Sequence, residues 1–385
     1  MRDVAFVGQG MSKFGDREDA SGRELAFEAF EETMKDVDAT RDDIDSMVTA
    51  FGVDETNHSA QPSSEVVTYL GLNPKADFRT EAACASGSAA VRSGYMTIAS
   101  GLADVVLVMG VEKLNEFPTS HTTEVFGKAG DTIWEYPYGT TFPGYYAMMA
   151  TAHMSKYGTT REQLSEVAVK NHKYATMNKY AHMQKEITLK DAVSANPVAH
   201  PLNLYDCSLI TDGAASVLLA SEEKAKEMTD TPVWITGLGG GTSSSTQFKR
   251  SDNTSIRGAR VAAEKAYEMS SKSPEDIDVA TVHDCFTIAE IIAYEDLGFC
   301  EKGKGGELVE EGETYADGKF PVNLDGGLKA KGHPIGATGV SMSVEIAKQL
   351  GGEAGDRQAD GAEIGLTHNV GGNGQHVFVH IYERG

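Results

Sequence analysis

A chain of 385 residues that is 40% hydrophobic is long enough for two cores, or for one large domain with an insertion. A formal net charge of −23 argues against non-specific binding to DNA, RNA or an anionic membrane, and leaves room for an anionic small molecule only where cations or helix N-termini are placed locally. No apolar run approaches the ~20 residues of a membrane span, and the four cysteines, Cys84, Cys207, Cys285 and Cys300, form no C-x-x-C pair, which speaks against a disulfide framework or a zinc site and for a reducing cytoplasm.

The opening "MRDVAFVGQG" lacks the apolar core and cleavage site of a signal peptide and runs straight into a strand over 4–10. It is not a dinucleotide fingerprint, because Lys13 stands where G-x-G-x-x-G needs its third glycine. An amphipathic helix, "ELAFEAFEETM", follows from Glu24, then a turn and strand, "DDIDSMVTAFG", from Asp42. Next, "EAACASGSAA" places Cys84 among small residues at the start of a predicted helix that leads into the buried strand "VVLVMGVE". Small neighbours admit a ligand's close approach. The positive end of the helix dipole favours the thiolate there, below the usual pKa of about 8.5. The plainer alternative is a small buried hydrophobe.

Residues 118–205 break the pattern. This stretch is rich in Tyr, Met and Pro and reads as an insertion lying over the first half, serving either as cover and subunit contact or as substrate lining. The chain returns with "LYDCSLITDGAASVLLAS" at 204–221, a strand that completes the first sheet.

From there the order repeats. The strand "VWITGLG" at 233–239, the helix "RVAAEKAYEMS" from Arg260 and the turn and strand "EDIDVATVHDC" from Glu275 match the opening elements. "HPIGATGVSMSVEIAKQL" from His333, followed by "AEIGLTHNV", matches the loop, helix and strand around Cys84. A duplicated α/β unit follows, with mixed or mostly parallel sheets covered by helices. The division predicted is 1–117, the insertion 118–205, the return of the first half at 206–228, and the second half at 229–385.

Loops that match across a pseudo-twofold meet at its centre. His333, pushed out of helical geometry by Pro334, then comes near Cys84, an activating arrangement for a thiol. His283 and Cys285 are two apart at a strand end and share a face. Further soft ligands at metal spacing are missing, so no metal is expected. Asp284 points away as a hydrogen-bonding scaffold residue, and Cys207 and Cys300 have no reactive context. The loop "THNVGGNGQ" offers the N–H groups of Gly371, Gly372 and Gly374 either as an oxyanion hole or as a plain hairpin turn.

Taken together, "ACASGSAA", "KYGTTRE" at 156–162 and "GHPIGATG" resemble the thiolase family from about residue 4 to the end. The Asn-Glu-Ala-Phe motif of biosynthetic thiolases is here His283-Asp284-Cys285-Phe286, and Asn369 stands where their second cysteine belongs. That exchange resembles the sterol-carrier-protein-type thiolases and the archaeal acetoacetyl-CoA thiolases (acetyl-CoA C-acetyltransferases). The resemblance implies a five-layered α-β-α-β-α thiolase fold with an inserted loop domain. It implies that Cys84, assisted by His333, takes an acetyl group from acetyl-CoA, and that the Cys84 and Gly371 N–H groups hold the oxyanion. Cys285 then deprotonates a second acetyl-CoA while His283 and His333 hold the enolate oxygen, and Ser208 contacts the pantetheine. It further implies no cofactor beyond coenzyme A thioesters, a homodimer or homotetramer, and an association with HMG-CoA synthase through a zinc-ribbon/OB-fold protein that draws off the uphill product. The resemblance implies the first step of the mevalonate, isoprenoid-forming pathway. The rival readings are a degradative 3-ketoacyl-CoA thiolase of longer chains, a ketoacyl-synthase-like condensing enzyme and a non-catalytic acyl-CoA-binding scaffold.

Overall fold

The two repeats fold as matching stacks in the computed structural model, which describes residues 2–55 and 59–385. The first half runs β1 (Val4–Met11), α1 (Gly22–Asp36), β2 (Ser46–Ala50), α2 (Pro62–Tyr69), β3 (Ala76–Thr80), α3 (Ser86–Ala99) and β4 (Val105–Glu112). Helices α4 (Thr119–Gly127), α5 (Phe142–Tyr157), α6 (Arg161–Ala175) and α7 (Leu189–Val193) and the small ribbon of β5 (Pro197–Ala199) and β6 (Leu202–Asn203) precede β7 (Gly213–Ser221) and α8 (Glu222–Met228). The second half runs β8 (Val233–Gly241), α9 (Arg257–Ser270), β9 (Val279–Val282), α10 (Thr287–Asp296), α11 (Gly305–Glu310), α12 (Ile335–Gly351), β10 (Ile364–Gly371) and β11 (His376–Arg384).

The strand order is β3-β2-β4-β7-β1-β8-β11-β10-β9. In the first half β3, β2 and β4 are parallel and β4, β7 and β1 antiparallel. The second half mirrors this, with β8, β11 and β10 antiparallel and β10 and β9 parallel. The place of β3 is taken there by one parallel bridge, Ala280 to Val322. Within the sheet, the described residues join the halves through two β1–β8 rungs, Ala5 to Trp234 and Phe6 to Val233. Helices α1 and α9 cover the outer faces, and α3 and α12 pack together between the halves, which gives five layers.

Local sequence accounts for these elements. A Ser21–Glu24 capping box starts α1, whose Leu25, Ala26, Ala29, Phe30 and Met34 face the sheet. Strands β4 and β7 are covered on both faces and are buried throughout. Against β8, α9 presents Ala259, Ala262, Ala263 and Ala266. Strand glycines let that helix come close: a Cβ on Gly239 would lie 1.7 Å from the Ala262 carbonyl oxygen.

One expectation is corrected. The insertion packs chiefly on the second half, not the first. Tyr145, Tyr146, Met149, Leu164 and Val167 share a core with Phe286, Ile288, Ile291 and Ile292. The cause is α10, which is buried at every residue and so needs apolar cover on the side away from its own sheet.

Candidate active site

Cys84 sits in a 3-10 turn, Ala83–Ala85, directly before α3. Ala83 has φ +51°, a left-handed conformation unfavourable for a residue with a Cβ. The Ser86 hydroxyl holds it there, accepting from Ala82 N–H at 2.9 Å and donating to the Ala83 carbonyl at 2.7 Å. The β10–β11 turn closes over this loop. Gly371 lies against Ala82, where a Cβ would sit 2.2 Å from the carbonyl oxygen. The backbone N–H groups of Gly372, one residue beyond the Gly371 predicted as oxyanion donor, and of Cys84 itself favour the Cys84 thiolate.

The expected lowering of the Cys84 pKa is overturned. Burial pushes the thiol up to about 11, and the Glu112 and Glu81 carboxylates add to it. Desolvation of the thiolate outweighs the helix end. Glu112 is buried at the end of β4 and accepts from Gly52 N–H at 2.7 Å and from Gly336 N–H at 3.0 Å. It thereby ties the start of α12 to the first half.

His283 and Cys285 follow β9, and both are buried. The Asn369 amide donates to the Cys84 carbonyl at 3.1 Å and meets His283 Nδ1 at 3.0 Å. An amide nitrogen brings only hydrogens, so Nδ1 is the acceptor and Nε2 carries the proton, a tautomer assigned from this network. Nε2 is buried and has no hydrogen-bond partner among the described residues. Burial holds the imidazole well below its usual range, with His333 and His368 adding to the shift. Burial also lifts the Cys285 thiol well above its usual range, and the nearby Cys84 sulfur raises it further.

Asp284 does face away. It accepts from the N–H groups of Leu328 at 2.6 Å and Lys329 at 3.1 Å, and from Asn171 at 2.8 Å. Burial, with Glu290 nearby, pushes it up to about 7. The two backbone donors belong to a π-turn, Gly327–Lys331, that delivers His333. His333 Nδ1 meets Thr338 Oγ1 at 2.7 Å, and that hydroxyl donates to the Pro334 carbonyl at 2.9 Å. Thr338 therefore accepts from Nδ1–H, which leaves the His333 Nε2 lone pair free. Burial lowers this imidazole to about 3, so it is neutral at pH 7. The two histidine rings meet edge to face at 5.2 Å.

The helices that carry these loops cross in near contact. A Cβ on Gly87 would lie 2.7 Å from Gly339 N, and one on Gly339 2.1 Å from Ser88 N. Small residues at this crossing are what bring the loops together. Ser208 also belongs to the neighbourhood, since its N–H donates to the Cys285 carbonyl at 2.9 Å. Glu112, and Tyr146, whose ring stacks on Phe286 with centroids 4.6 Å apart, are members that sequence reasoning missed. The position of Asn369, where a cysteine is expected, was the one signal available for it.

Residues 4–223 match the family model for the thiolase N-terminal domain, and residues 239–384 match that for the thiolase C-terminal domain-like family. The chain is similar to an acetyl-CoA acetyltransferase of Methanothermobacter thermautotrophicus, 45% identical over the whole of both chains. It is 42% identical to one of Methanocaldococcus jannaschii over 99% of each. Sterol carrier protein 2 of Oryctolagus cuniculus is 33% identical over 99% of this chain and 72% of its own length. Among solved structures, an Ltp2-ChsH2(DUF35) aldolase superposes with a TM-score of 0.83 at 25% identity, covering 98% of this chain and 97% of that one.

Proposed function

Because the chain belongs to the thiolase family, we propose that it condenses two acetyl-CoA to acetoacetyl-CoA and CoA, reversibly, through an acetyl group on Cys84. The reading rests on one observation. A buried Nε2–H of His283 stands without an acceptor among the described residues, linked through Asn369 to Cys84. Such a donor suits an oxygen that acquires charge during the reaction.

In the first step the Cys84 sulfur attacks the thioester carbonyl, and its proton passes to the free Nε2 of His333. The bond from the carbonyl to the CoA sulfur breaks, and the departing CoA thiolate takes the proton of the Cys285 thiol, leaving Cys285 as thiolate. The N–H groups of Cys84 and Gly371, with that of Gly372 beside them, hold the oxyanion. In the second step Cys285, as thiolate, removes a methyl proton from another acetyl-CoA. The enolate oxygen is held by His283 Nε2–H and by His333, which still carries the Cys84 proton. The enolate carbon attacks the acetyl carbonyl, the bond to Cys84 breaks, and that proton returns to the sulfur. The methyl proton stays on Cys285 and restores its thiol. Ser208, beside Cys285, is assigned to the pantetheine.

The full-length similarity to two acetyl-CoA acetyltransferases supports acetyl transfer and favours entry to the mevalonate pathway. A homodimer or homotetramer in the cytoplasm and partnership with HMG-CoA synthase through a zinc-ribbon/OB-fold protein belong to the same reading. The Ltp2-ChsH2(DUF35) aldolase superposes on this chain, which supports an accessory subunit. The test is thiolysis of acetoacetyl-CoA and of a long 3-ketoacyl-CoA, each with CoA. Faster cleavage of acetoacetyl-CoA is expected, and the reverse order would make the enzyme a degradative thiolase of longer chains.

A further inference from the structure

We propose that the buried Glu290 carboxylate positions His283, by carrying the two asparagine amides that grip the chain on either side of that histidine. The proposal rests on the thiolase reading above and deepens it, since His283 is the donor assigned there to the enolate oxygen.

Glu290 lies on α10 and is wholly buried. Four donors converge on its two oxygens, which fills the acceptor positions of a carboxylate. Oε1 accepts from Lys170 Nζ at 2.6 Å and from the Tyr294 hydroxyl. Oε2 accepts from the side-chain amides of Asn171 at 2.8 Å and of Asn323 at 2.7 Å. Lys170 is equally buried and supplies the countercharge that such a site requires. Its Nζ also donates at 2.6 Å to the carbonyl of Val322, the residue before Asn323. Lys170 and Asn171 are consecutive on α6, so the insertion itself reaches this site.

Each amide then holds one side of His283. Strand β9 ends the sheet. On its outer edge the Ala280 N–H donates to the Pro321 carbonyl at 2.9 Å, and the Ala280 carbonyl accepts from Asn323 N–H at 3.0 Å. Two residues on, the Val282 N–H points to the same edge and donates to the Asn323 side-chain oxygen at 2.8 Å. Asn323 has φ +56°, a left-handed conformation that asparagine adopts more readily than most residues. On the other side, the Asn171 amide nitrogen donates to Asp284 at 2.8 Å as well as to Glu290. Its oxygen is buried without a partner among the described residues. An unsatisfied buried oxygen costs stability, so the two carboxylates set the orientation of this amide. Held at Val282 and Asp284, the chain carries the His283 ring against Asn369, with Nε2–H open. Asn323 reaches Val282, whereas Asn171, through Asp284, also reaches the turn that delivers His333.

Asn323 therefore gives the cleaner test. Asn323→Gly allows the same backbone conformation and removes the amide. Two single-turnover rates are read. One is acetylation of Cys84 by acetyl-CoA, which does not use His283. The other is formation of acetoacetyl-CoA when enzyme already acetylated on Cys84 meets acetyl-CoA, which does. At saturating acetyl-CoA condensation is expected to fall about 10- to 100-fold, as for a displaced oxyanion donor, while acetylation changes by less than about threefold. Glu290→Gln, with one carbonyl oxygen where two oxygens took four donors, should also lower condensation by a larger factor than acetylation. Thr33→Val removes a buried hydroxyl in the first half, bonded to Ser216 at 2.6 Å, and should leave the ratio of the two rates unchanged. A fall of both rates by the same factor in Asn323→Gly and Glu290→Gln, or condensation at the unaltered rate in both, would overturn the proposal. Failure of the unaltered protein to acetylate Cys84 would instead overturn the thiolase reading beneath it.

Discussion

In the first half the reactive loop is a three-residue 3-10 turn before α3, and in the second it is a five-residue π-turn before α12. The turn at Cys84 is held mainly by near neighbours, with Ser86 bonding Ala82 and Ala83. The loop at His333 is held from a distance, by Asp284 after β9 and by Glu112 at the end of β4. Yet burial drives both groups the same way, towards neutrality, with the thiol up to about 11 and the imidazole down to about 3. The matched positions thus form a thiol and a neutral imidazole at rest, not an ion pair. The comparison also says where damage will spread: changes at the first loop affect chemistry, and changes at the supports of the second affect stability as well.

The largest effect should follow removal of the second loop's base. His333→Asn is expected to slow acetylation of Cys84 about 10²- to 10⁴-fold, read by rapid quench. Asp284→Ala strips the acceptor from Leu328, Lys329 and Asn171, and should cost about 3 kcal/mol or more in urea unfolding, since it leaves buried donors unsatisfied.

The subtler variant Asp284→Asn tests the pH linkage. With its folded pKa raised to about 7, Asp284 contributes stability at low pH that is lost as pH rises towards 7. His333, His368 and His380, each lowered to about 3 by burial, act oppositely and cost stability as pH falls below their unfolded value of about 6.5. The three histidines outweigh the one carboxylate, so stability should rise from about pH 4.5 to about pH 6.5. Asp284→Asn should steepen that rise by up to about 1.4 kcal/mol per pH unit.

A smaller effect is expected for Glu112→Gln. It should cost about 1–2 kcal/mol, by weakening charge-assisted bonds to Gly52 and Gly336. It should also shift the pH dependence of Cys84 alkylation by iodoacetamide downwards, because the Glu112 charge opposes the thiolate. An unshifted alkylation profile would remove Glu112 from the account of that thiol. Cys300→Ser, outside the hydrogen-bonded site, should change stability by less than about 0.5 kcal/mol and leave turnover alone.

Much of this was readable in the chain. Glycines alternating along β8, and the small residues around Cys84 and in "GHPIGATG", announce close approaches that the backbone then makes at Gly239, Gly87 and Gly339. The duplicated order of strands and helices announces that two loops meet. What could not be read depends on three-dimensional surroundings. The Cys84 environment sets burial and a distant carboxylate against a helix end, and the sequence shows only the last. Asn369 reads as a lost cysteine until its amide is seen between Cys84 and His283. Among the closely spaced tyrosines of the insertion no period marks Tyr146 as inward-facing. Nor does local pattern say which half the insertion covers, since α10 attracts it only once folded. Helix α2 and strand β3 were too short and too polar to announce themselves.

The most direct test of the central claim is peptide mass mapping after acid quench of the protein mixed with acetyl-CoA, with Cys84→Ala and Cys285→Ala alongside. The account predicts an acetyl group on the Cys84 peptide of the unaltered protein and of Cys285→Ala, with no acetoacetyl-CoA from the latter, and no label in Cys84→Ala. Acetyl on the Cys285 peptide in place of Cys84, or acetoacetyl-CoA made at the normal rate by Cys285→Ala, would contradict the division of labour between the two sulfurs.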